Sequence, residues 1–162
     1  MQDTNLTAPL TVFPAPTPLC RIVCDVGPLV SLGQAPLGER RFVQLLGGRV
    51  EGPLFQGVVM PGGVDWQIAR KDEVLEIDAR YVLELGDGAR VEVESRGLRH
   101  GAPEVMQRLA AGEPVAPQEY FFRTAIRLTT GAPAWRHLNR LLAVGVGSRY
   151  AAQVVIDVFQ IN

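Results

Sequence analysis

The stretch that decides the fold is VLEIDARYVLEL, residues 74–85, followed after a short link by ARVEVESRG, residues 89–97. Apolar residues hold nearly all odd positions of both segments, and charged residues hold most of the even positions. An alternation of period two is typical of β-strands that bury one face. The two segments therefore predict neighbouring strands. The residues expected on the buried face are Leu75, Ile77, Tyr81, Leu83, Val91 and Val93.

The link GDG, residues 86–88, sets the register of these two strands. A two-residue Asp-Gly turn would place Leu83 opposite Glu92 and mix the two faces. A three-residue loop with Gly88 in the left-handed conformation pairs Leu83 with Val91 instead. We therefore expect the three-residue loop. Its register also pairs opposite charges across the strands: Glu84 with Arg90, Arg80 with Glu94, and Asp78 with Arg96.

The turn before this hairpin can be interpreted in the same way. A tight turn at residues 71–72 would place Trp66 beside Ile77, apolar against apolar. The same register would bring Asp65 opposite Asp78. It predicts a group of four charged side chains at one end of three adjacent strands: Asp65, Asp78, Arg80 and Arg96.

Two carboxylates held close together have separated pKa values unless a nearby arginine neutralises them. We therefore treat Asp65 and Asp78 as candidate catalytic acid or base groups, and Arg80 and Arg96 as candidate ligand-binding groups. The alternative is a solvated ladder of charges on the outside of the sheet, which adds little to stability.

The remainder of the chain indicates one domain, residues 19–162, after a Pro-rich N-terminal arm at residues 1–18. PLVSLGQAPLGE, residues 28–39, is predicted as a loop, and APEVMQRLAAG, residues 102–112, as a helix. PAWRHL, residues 133–138, predicts a single helical turn. Further extended runs are expected at 19–26, 40–48, 49–63, 64–71, 120–130, 138–149 and 152–161.

One short helix cannot cover about nine strands, so the sheet has to cover itself. We therefore predict an all-β fold: a closed or nearly closed antiparallel β-barrel of roughly nine strands with one short helix. A barrel of this size can hold one small ligand in its lumen.

The charge balance bounds the partners of the protein. Sixteen Lys and Arg residues against 17 Asp and Glu residues give a net charge of −1, so no overall field attracts nucleic acid or an anionic membrane. No apolar run approaches the ~20 residues of a membrane span, and the start lacks the basic residues of a signal peptide. We expect a cytoplasmic protein that binds neither nucleic acid nor membrane; association into a homo-oligomer stays open.

The sequence favours neither a metal nor a cofactor. Cys20 and Cys24 would lie ~13 Å apart on one strand face, too far for a disulfide, and no spacing completes a zinc site. The glycine pairs at 47–48 and 62–63 belong to no phosphate-binding motif, and no GxSxG nucleophile motif occurs. The expected chemistry is therefore free of metals and cofactors.

The run YFFRT, residues 120–124, joins aromatic side chains to an arginine. Alternation places Tyr120 and Phe122 on one face and Phe121 and Arg123 on the other. Ligand pockets combine apolar surface with a few polar groups in this way. Tyr120, Phe122 and Arg123 are therefore candidate ligand-binding residues, although Arg123 could equally be a buried ion-pair partner.

A bend at the glycines of residues 62–63 would let Asp65 and Trp66 share one cavity with Arg123. In that arrangement Trp66 supplies an apolar wall and Arg123 keeps Asp65 ionised. The alternative places Trp66 in the core, with Asp65 capping the turn beside it.

Four stretches resemble the signature blocks of uncharacterised protein family 0311, also called domain of unknown function 3237, over residues 19–162. They lie at residues 47–67, 78–114, 119–124 and 133–147, and His137 stands where the family pattern has Trp. The resemblance implies a compact β-barrel, similar in fold to those of the allene oxide cyclase and lipocalin groups, and no general reaction. It marks Asp65, Trp66, Asp78, Arg80, Tyr81, Arg96, Tyr120, Phe122, Arg123 and Asn139.

Together these features predict a small apolar or aromatic ligand in the barrel lumen. Any chemistry there would be acid–base work of the isomerase, cyclase or lyase type, with Asp65 or Asp78 as acid or base. Arg96 or Arg123 would hold an anionic oxygen. The alternative is a non-catalytic binding or interaction module with no lumenal site. A deep pocket with an aspartate favours the enzyme, and a packed lumen favours the module.

Overall fold

The computed structural model describes residues 17–162, so the arm expected at residues 1–18 lies almost wholly outside the described part. Within residues 17–162, no helix has the length and apolar character that crossing a bilayer requires. The strands are β1 (Cys20–Ala35), β2 (Gly38–Glu51), β3 (Gly57–Val59), β4 (Gly63–Arg70), β5 (Leu75–Leu85), β6 (Arg90–Gly101), β7 (Tyr120–Thr129), β8 (Leu142–Arg149) and β9 (Gln153–Ile161). The helices are α1 (Pro103–Ala110) and two 3₁₀-helices, Pro117–Glu119 and Pro133–Arg140.

The strands form one closed antiparallel barrel, as predicted. Eight strands follow one another around the ring in the order β1, β9, β8, β7, β6, β5, β4 and β2, and β2 pairs back onto β1. The short strand β3 pairs with β2 and β5 alongside the start of β4. Closure leaves no strand of the ring without two neighbours, which removes the exposed edges of an open sheet.

The predicted hairpin of β5 and β6 is confirmed in full. Leu83 pairs with Val91, and the amide of Leu85 donates to the carbonyl of Ala89 across a three-residue loop. Gly88 has φ of 83°, the left-handed conformation that this loop requires. The predicted charge pairs are present on the outer face: Glu84–Arg90 at 3.1 Å, Arg80–Glu94 at 3.0 Å and Asp78–Arg96 at 3.2 Å.

The inner face of this hairpin forms a large part of the core. The six residues predicted there expose at most 6% of their surface, and Leu83, Val91 and Val93 expose none. Cys20 and Cys24 are buried free thiols, as expected. Burial raises the pKa of both thiols to about 12, so neither is a nucleophile at neutral pH.

The predicted register between β4 and β5 is wrong by one residue. Asp65 lies opposite Ala79, and Trp66, not Asp65, lies opposite Asp78. The link between the strands is three residues long, because the amide of Arg70 donates to the carbonyl of Val74. Glu73 provides the left-handed residue of this loop, with φ of 66°. One extra loop residue reverses the face on which every side chain of β4 lies.

The segment at residues 28–39 is not the loop that was predicted. It continues β1 to Ala35 and begins β2 at Gly38, so the two strands form a long hairpin. Beyond Asp25 the β1 strand pairs with β2 alone, and Leu29, Val30 and Leu32 are exposed. Strands were predicted from apolar side chains that face the core. The apolar side chains in this outer part of the hairpin face solvent instead, so the prediction missed it.

Candidate functional site

The barrel lumen has a packed half and an open half. The packed half is filled by aliphatic side chains that expose 1% of their surface or less. They include Ile22, Val50, Leu83, Val91, Ile126 and Val158. The open half contains a cavity of about 40 Å³. A cavity needs roughly 10–15 Å³ of this free volume to hold one water. The cavity therefore has room for a few waters or a small ligand group.

The cavity wall is apolar with a cluster of polar groups. Its polar residues are Asp65, Gln67, Ser95, Arg99, Thr124 and Arg149, and its apolar residues include Val26, Val43, Leu45, Ile77, Tyr81, Phe122 and Ile156. An apolar surface with a few convergent polar side chains is the usual composition of a small-molecule site. The cavity is therefore the candidate functional site of the described residues.

Asp65 is the one carboxylate that the described residues place on the cavity wall. Its Oδ2 accepts a 2.6 Å hydrogen bond from Nε2 of Gln67, which faces the same side of β4 two residues later. Oε1 of Gln67 in turn accepts a 3.1 Å hydrogen bond from Nε of Arg41 on β2. Oδ1 of Asp65 is buried and has no hydrogen-bond partner among residues 17–162. The carboxylate is thus fixed through one oxygen, and the other is free.

Burial raises the pKa of Asp65 from its ordinary value of 3.8 to about 6. The hydrogen bond from Gln67, the positive charge of Arg99 and the nearby backbone N–H of Asp78 lower the pKa of Asp65 but do not outweigh burial, to which the negative charge of Asp78 adds. A carboxyl with a pKa close to neutrality is able both to take and to give a proton under physiological conditions. Asp65 is thereby suited to acid–base chemistry.

Arg99 faces the cavity from β6, where it pairs with Leu75 on one side and Phe122 on the other. Its guanidinium carbon lies 5.7 Å from the centre of the Phe122 ring, a cation–π contact. Burial, together with the positive charges of Arg149 and Arg41, lowers the pKa of Arg99 to about 10. Arg99 is nevertheless a cation at neutral pH, held in a place where charge is unfavourable.

Three buried side-chain atoms of residues 17–162 have no hydrogen-bond partner: Oδ1 of Asp65, Nε of Arg99 and Oγ1 of Thr124. All three residues line this one cavity. Buried polar groups in proteins are nearly always hydrogen-bonded, because an unpaired one costs about 1–3 kcal/mol. The unpaired groups are therefore concentrated on the wall of one cavity.

Glycines on β8 make space beside these groups. A Cβ atom on Gly145 would lie 2.4 Å from Oγ1 of Thr124, and one on Gly147 would lie 2.5 Å from the Phe122 ring. Real Cβ atoms do not approach other atoms so closely, so these two inward positions admit only glycine without rearrangement. The sequence AVGVGS of β8 therefore lets Phe122 lie flat against the inner wall.

Three of the residues that the sequence analysis marked line the cavity: Asp65, Phe122 and Tyr81, the last through the family resemblance alone. Tyr120 is buried next to the cavity, and its hydroxyl accepts a 2.8 Å hydrogen bond from the backbone amide of Arg149. The alternation predicted for residues 120–124 is confirmed, and the face of Tyr120 and Phe122 is the inner one, since Phe122 exposes 3% of its surface and Phe121 exposes 42%.

The remaining predicted residues lie on the outer face of the barrel. Asp78, Arg80 and Arg96 belong to the exposed charge ladder, so they do not gather with Asp65. Trp66 is 38% exposed and lines an external groove with Asp78 and Arg96. The expectation that Trp66 shares a cavity with Asp65 is therefore wrong, because β4 pairs with β2 and β5 without a bulge and adjacent side chains face opposite sides.

Arg123 does not line the cavity either, which is a further correction. Its Nη1 donates to the carbonyl of Phe122 at 2.8 Å, and its guanidinium lies over the Phe121 ring at 5.4 Å. Asn139, marked by the family resemblance, bonds through its side chain to both backbone groups of Thr130. It holds the end of β7 and lies away from the cavity.

Sequence reasoning missed Gln67, Arg99 and Arg149. A signal for Arg99 exists, because the inward series of β6 (residues 91, 93 and 95) reaches position 99 when the alternation is continued. Arg149 ends the inward series 143, 145 and 147 of β8 in the same way. Residues 17–162 contain no group of His, Cys, Asp and Glu side chains able to hold a metal ion.

Comparisons with known proteins agree on one family. The family model described as "Protein of unknown function (DUF3237)" matches residues 14–161. A UPF0311 protein of Rhodopseudomonas palustris is 43% identical over 140 residues, which cover 86% of this chain and 92% of the relative.

Solved structures extend the comparison to the fold. A conserved protein of unknown function from Rhodopseudomonas palustris superposes with a TM-score of 0.90 at 40% identity, covering 94% of this chain and 99% of the other. A β-barrel-like protein from Acinetobacter baumannii gives 0.81 at 32% identity over 96% and 99%. An enzyme from Penicillium herquei gives 0.65 at 22% identity over 91% and 98%, and this likeness shows a shared fold alone.

Proposed function

The chain belongs to the DUF3237 family of proteins of unknown function. We propose that its barrel cavity binds a small molecule with an apolar or aromatic body, and that Asp65 exchanges a proton with this molecule. The ligand would lie against Phe122 and the aliphatic wall. Oδ1 of Asp65 would take a proton from an acidic C–H or O–H group, whose bonding electrons stay on the ligand. Returning that proton to another ligand atom restores the carboxylate, so no co-reactant is consumed.

The observation that carries this proposal is the free oxygen of Asp65. Gln67 fixes the orientation of the carboxylate through Oδ2, while Oδ1 is buried, unpaired and on the cavity wall. A carboxylate with a purely structural role would have both oxygens paired, because an unpaired buried oxygen is unfavourable. A base needs the opposite arrangement: a fixed position and one lone pair free to reach the substrate.

Two further findings support acid–base chemistry. Burial raises the pKa of Asp65 to about 6, which allows both protonation states near neutrality. The Penicillium herquei protein that shares this fold is described as an enzyme, so a barrel of this kind is compatible with catalysis. That protein is only 22% identical, and its reaction is not transferred to this chain.

A non-catalytic binding module is the second candidate, and the size of the cavity favours it. A volume of about 40 Å³ holds a few waters, and a larger ligand would require side chains to move. The same chain has a groove of about 400 Å³ on its outer face beside Trp66. The two candidates differ in whether Asp65 transfers a proton.

The experiment that separates them follows proton exchange in D₂O. Wild-type protein is incubated with acetone, butanone and acetophenone, whose α-protons a carboxylate base can remove. Deuterium incorporation is followed by NMR, and binding by the shifts of cavity residues. We expect faster exchange of the ketone that binds, and loss of that acceleration in Asp65→Asn. Asp25→Asn, a change of an exposed aspartate on β1, should leave it intact.

The outcomes distinguish the candidates. Ketone binding with no exchange that depends on Asp65 overturns the catalytic proposal and supports the binding module. Failure of all three ketones to shift any cavity resonance overturns the lumenal site for neutral ligands of this class.

A further inference from the structure

The cavity and its rim hold more positive than negative charge. Arg99 and Arg149 line the cavity, and Arg41 reaches it through Gln67. Asp65 is the one carboxylate on the wall, and Glu39 lies 3.7 Å from Arg41 outside it. Among residues 17–162, no carboxylate lies within salt-bridge distance of Arg99 or Arg149.

The arginines of the outer surface are in a different situation. Seven arginines outside the lumen have a carboxylate partner: Arg21, Arg49, Arg70, Arg80, Arg90, Arg96 and Arg108. Exposed arginines without a partner are solvated by water. Arg99 has neither a carboxylate nor a hydrogen bond for its buried Nε.

A buried cation without a directly paired counter-charge is costly, because the attraction of the more distant Asp65 offsets only part of the desolvation. Burial lowers the pKa of both Arg99 and Arg149, and the charge of Arg149 adds to the effect on Arg99. Phe122 offers Arg99 only a ring face at 5.7 Å. Nη1 of Arg149 already donates to the backbone carbonyls of Tyr150 and Gln153, so Arg149 has hydrogen bonds but no directly paired carboxylate. An anion entering the cavity would supply a counter-charge for both guanidinium groups.

We propose that the cavity takes a small organic carboxylate, held by Arg99 and Arg149, with its apolar body against Phe122. This inference rests on the proposed function and names the class of ligand for that same site. A guanidinium offers paired N–H donors that match the two oxygens of a carboxylate. Oγ1 of Thr124, buried and unpaired on the same wall, is a further hydrogen-bond donor for the ligand.

The geometry favours a carboxylate over a phosphate ester or a polyanion. The cavity of about 40 Å³ has room for a carboxylate group, and the body of an acid such as benzoate requires side chains of the wall to move. The wall around the cations is aliphatic and aromatic, formed by Val26, Ile77 and Phe122 among others. A single negative charge on an apolar body therefore matches the site.

The test compares acids with their neutral isosteres. Binding of benzoate and benzamide, and of acetate and acetamide, is measured by NMR titration of the wild-type protein. A charge-assisted hydrogen bond contributes about 1.5–3 kcal/mol, so we expect each acid to bind at least about tenfold more tightly than its amide. Arg99→Gln should reduce this ratio to about one while the affinity for the amides stays the same.

Two further variants complete the test. Arg127→Gln, a change of an exposed arginine on β7, should leave the ratio of acid to amide affinity unchanged. Arg149→Gln provides a second reduction of cavity charge if Arg99→Gln does not fold, which circular dichroism would show.

Each contrary outcome has its own meaning. Equal affinity of wild-type protein for acid and amide overturns the carboxylate class but leaves a lumenal site in place. Tighter binding of inorganic phosphate than of acetate also overturns the class. A preference for acids that survives both Arg99→Gln and Arg149→Gln overturns the assignment to these arginines. Absence of binding by all four probes overturns this inference, and the proton exchange of the ketones then decides the proposed function separately.

Discussion

The side-chain amide of Gln67 donates a 2.6 Å hydrogen bond to Oδ2 of Asp65, two residues earlier on the same strand. Residues two apart on a strand face the same side, so both side chains enter the lumen together. Arg41 on the neighbouring strand donates to the other end of the Gln67 amide and fixes which end faces Asp65. Gln67 thus bridges Arg41 and Asp65 through two hydrogen bonds, and these two charged groups do not contact each other directly.

The hydrogen bond from Gln67 to Asp65 predicts how Gln67→Met changes the titration of Asp65. The hydrogen bond from Gln67 lowers the pKa of Asp65, against the larger effect of burial. Methionine has a similar volume and no N–H donor, so the pKa of Asp65 should rise further above about 6. An NMR titration of the Asp65 carboxyl carbon measures the change. Gln44→Met, at an exposed position of β2, is the control, and an unchanged or lower pKa in Gln67→Met would contradict the prediction.

A second prediction concerns the pH dependence of stability. The pKa of Asp65 is raised from 3.8 to about 6 in the folded protein, so within this window the folded state binds more protons than the unfolded chain. Stability therefore falls as pH rises from about 4 to about 6, and above that the charged carboxylate remains a cost of roughly 3 kcal/mol at most. The charged and titratable groups around it are Cys24, Arg41, Asp78, Tyr81, Arg99 and Arg149.

Asp65→Asn removes this charge and keeps the shape of the side chain. We expect the variant to exceed the wild-type free energy of unfolding by about 1–3 kcal/mol at pH 8 and to match it near pH 4. Urea unfolding at both pH values measures the difference. Asp25→Asn, on the exposed face of β1, should give no comparable gain at pH 8. A variant less stable than wild type at pH 8 would show that the Asp65 carboxylate stabilises the fold.

The hairpin of β5 and β6 shows how much of the fold the sequence determines locally. Eleven residues of β5 alternate without a break, and Gly88 supplies the left-handed residue that its loop needs. Burial of one face then admits a single register, since a slip by one residue would expose Leu83 and bury Glu92. Composition, loop chemistry and core packing all favour the same pairing here.

The loop before β5 shows where local reasoning fails. Glu73 occupies the left-handed position that Gly88 occupies in the next loop, and glutamate carries no signal for that conformation. The apolar residues Trp66 and Ile68 then lie outward, while Asp65 and Gln67 face the lumen. A strand with its polar residues inside contradicts the pattern of a core, and functional sites are where such contradictions are expected.

The cavity itself could be predicted only in part. Arg99 and Arg149 come from strands separated in sequence, and only closure of the barrel brings both next to Asp65. Sequence periodicity gives the face on which each residue lies but not the height at which it enters the lumen. Which inward residues meet at one level depends on the stagger of all eight strands of the ring.

A third prediction tests the packed half of the lumen. Leu83 exposes none of its surface, so Leu83→Ala should lower the free energy of unfolding by about 2–5 kcal/mol. Leu32 is 58% exposed in the outer part of the β1–β2 hairpin, and Leu32→Ala should change it by about 0.5 kcal/mol or less. Urea denaturation of both variants measures the difference. Equal losses would mean that the inner and outer faces of the sheet are wrongly assigned.

The last prediction concerns the glycine wall of the cavity. A methyl group at position 147 would lie 2.5 Å from the Phe122 ring, so Gly147→Ala must displace that ring. Overpacking of this kind costs about 1–3 kcal/mol. Because Arg99 lies over the same ring at 5.7 Å, the displacement should also move the guanidinium and weaken binding of benzoate. Gly131→Ala is the matched control, since a Cβ atom there meets nothing within 4 Å. Chemical shifts of the Phe122 ring, urea unfolding and benzoate titration report the three effects. Phe122 shifts and stability equal to those of Gly131→Ala would contradict the close packing of this wall.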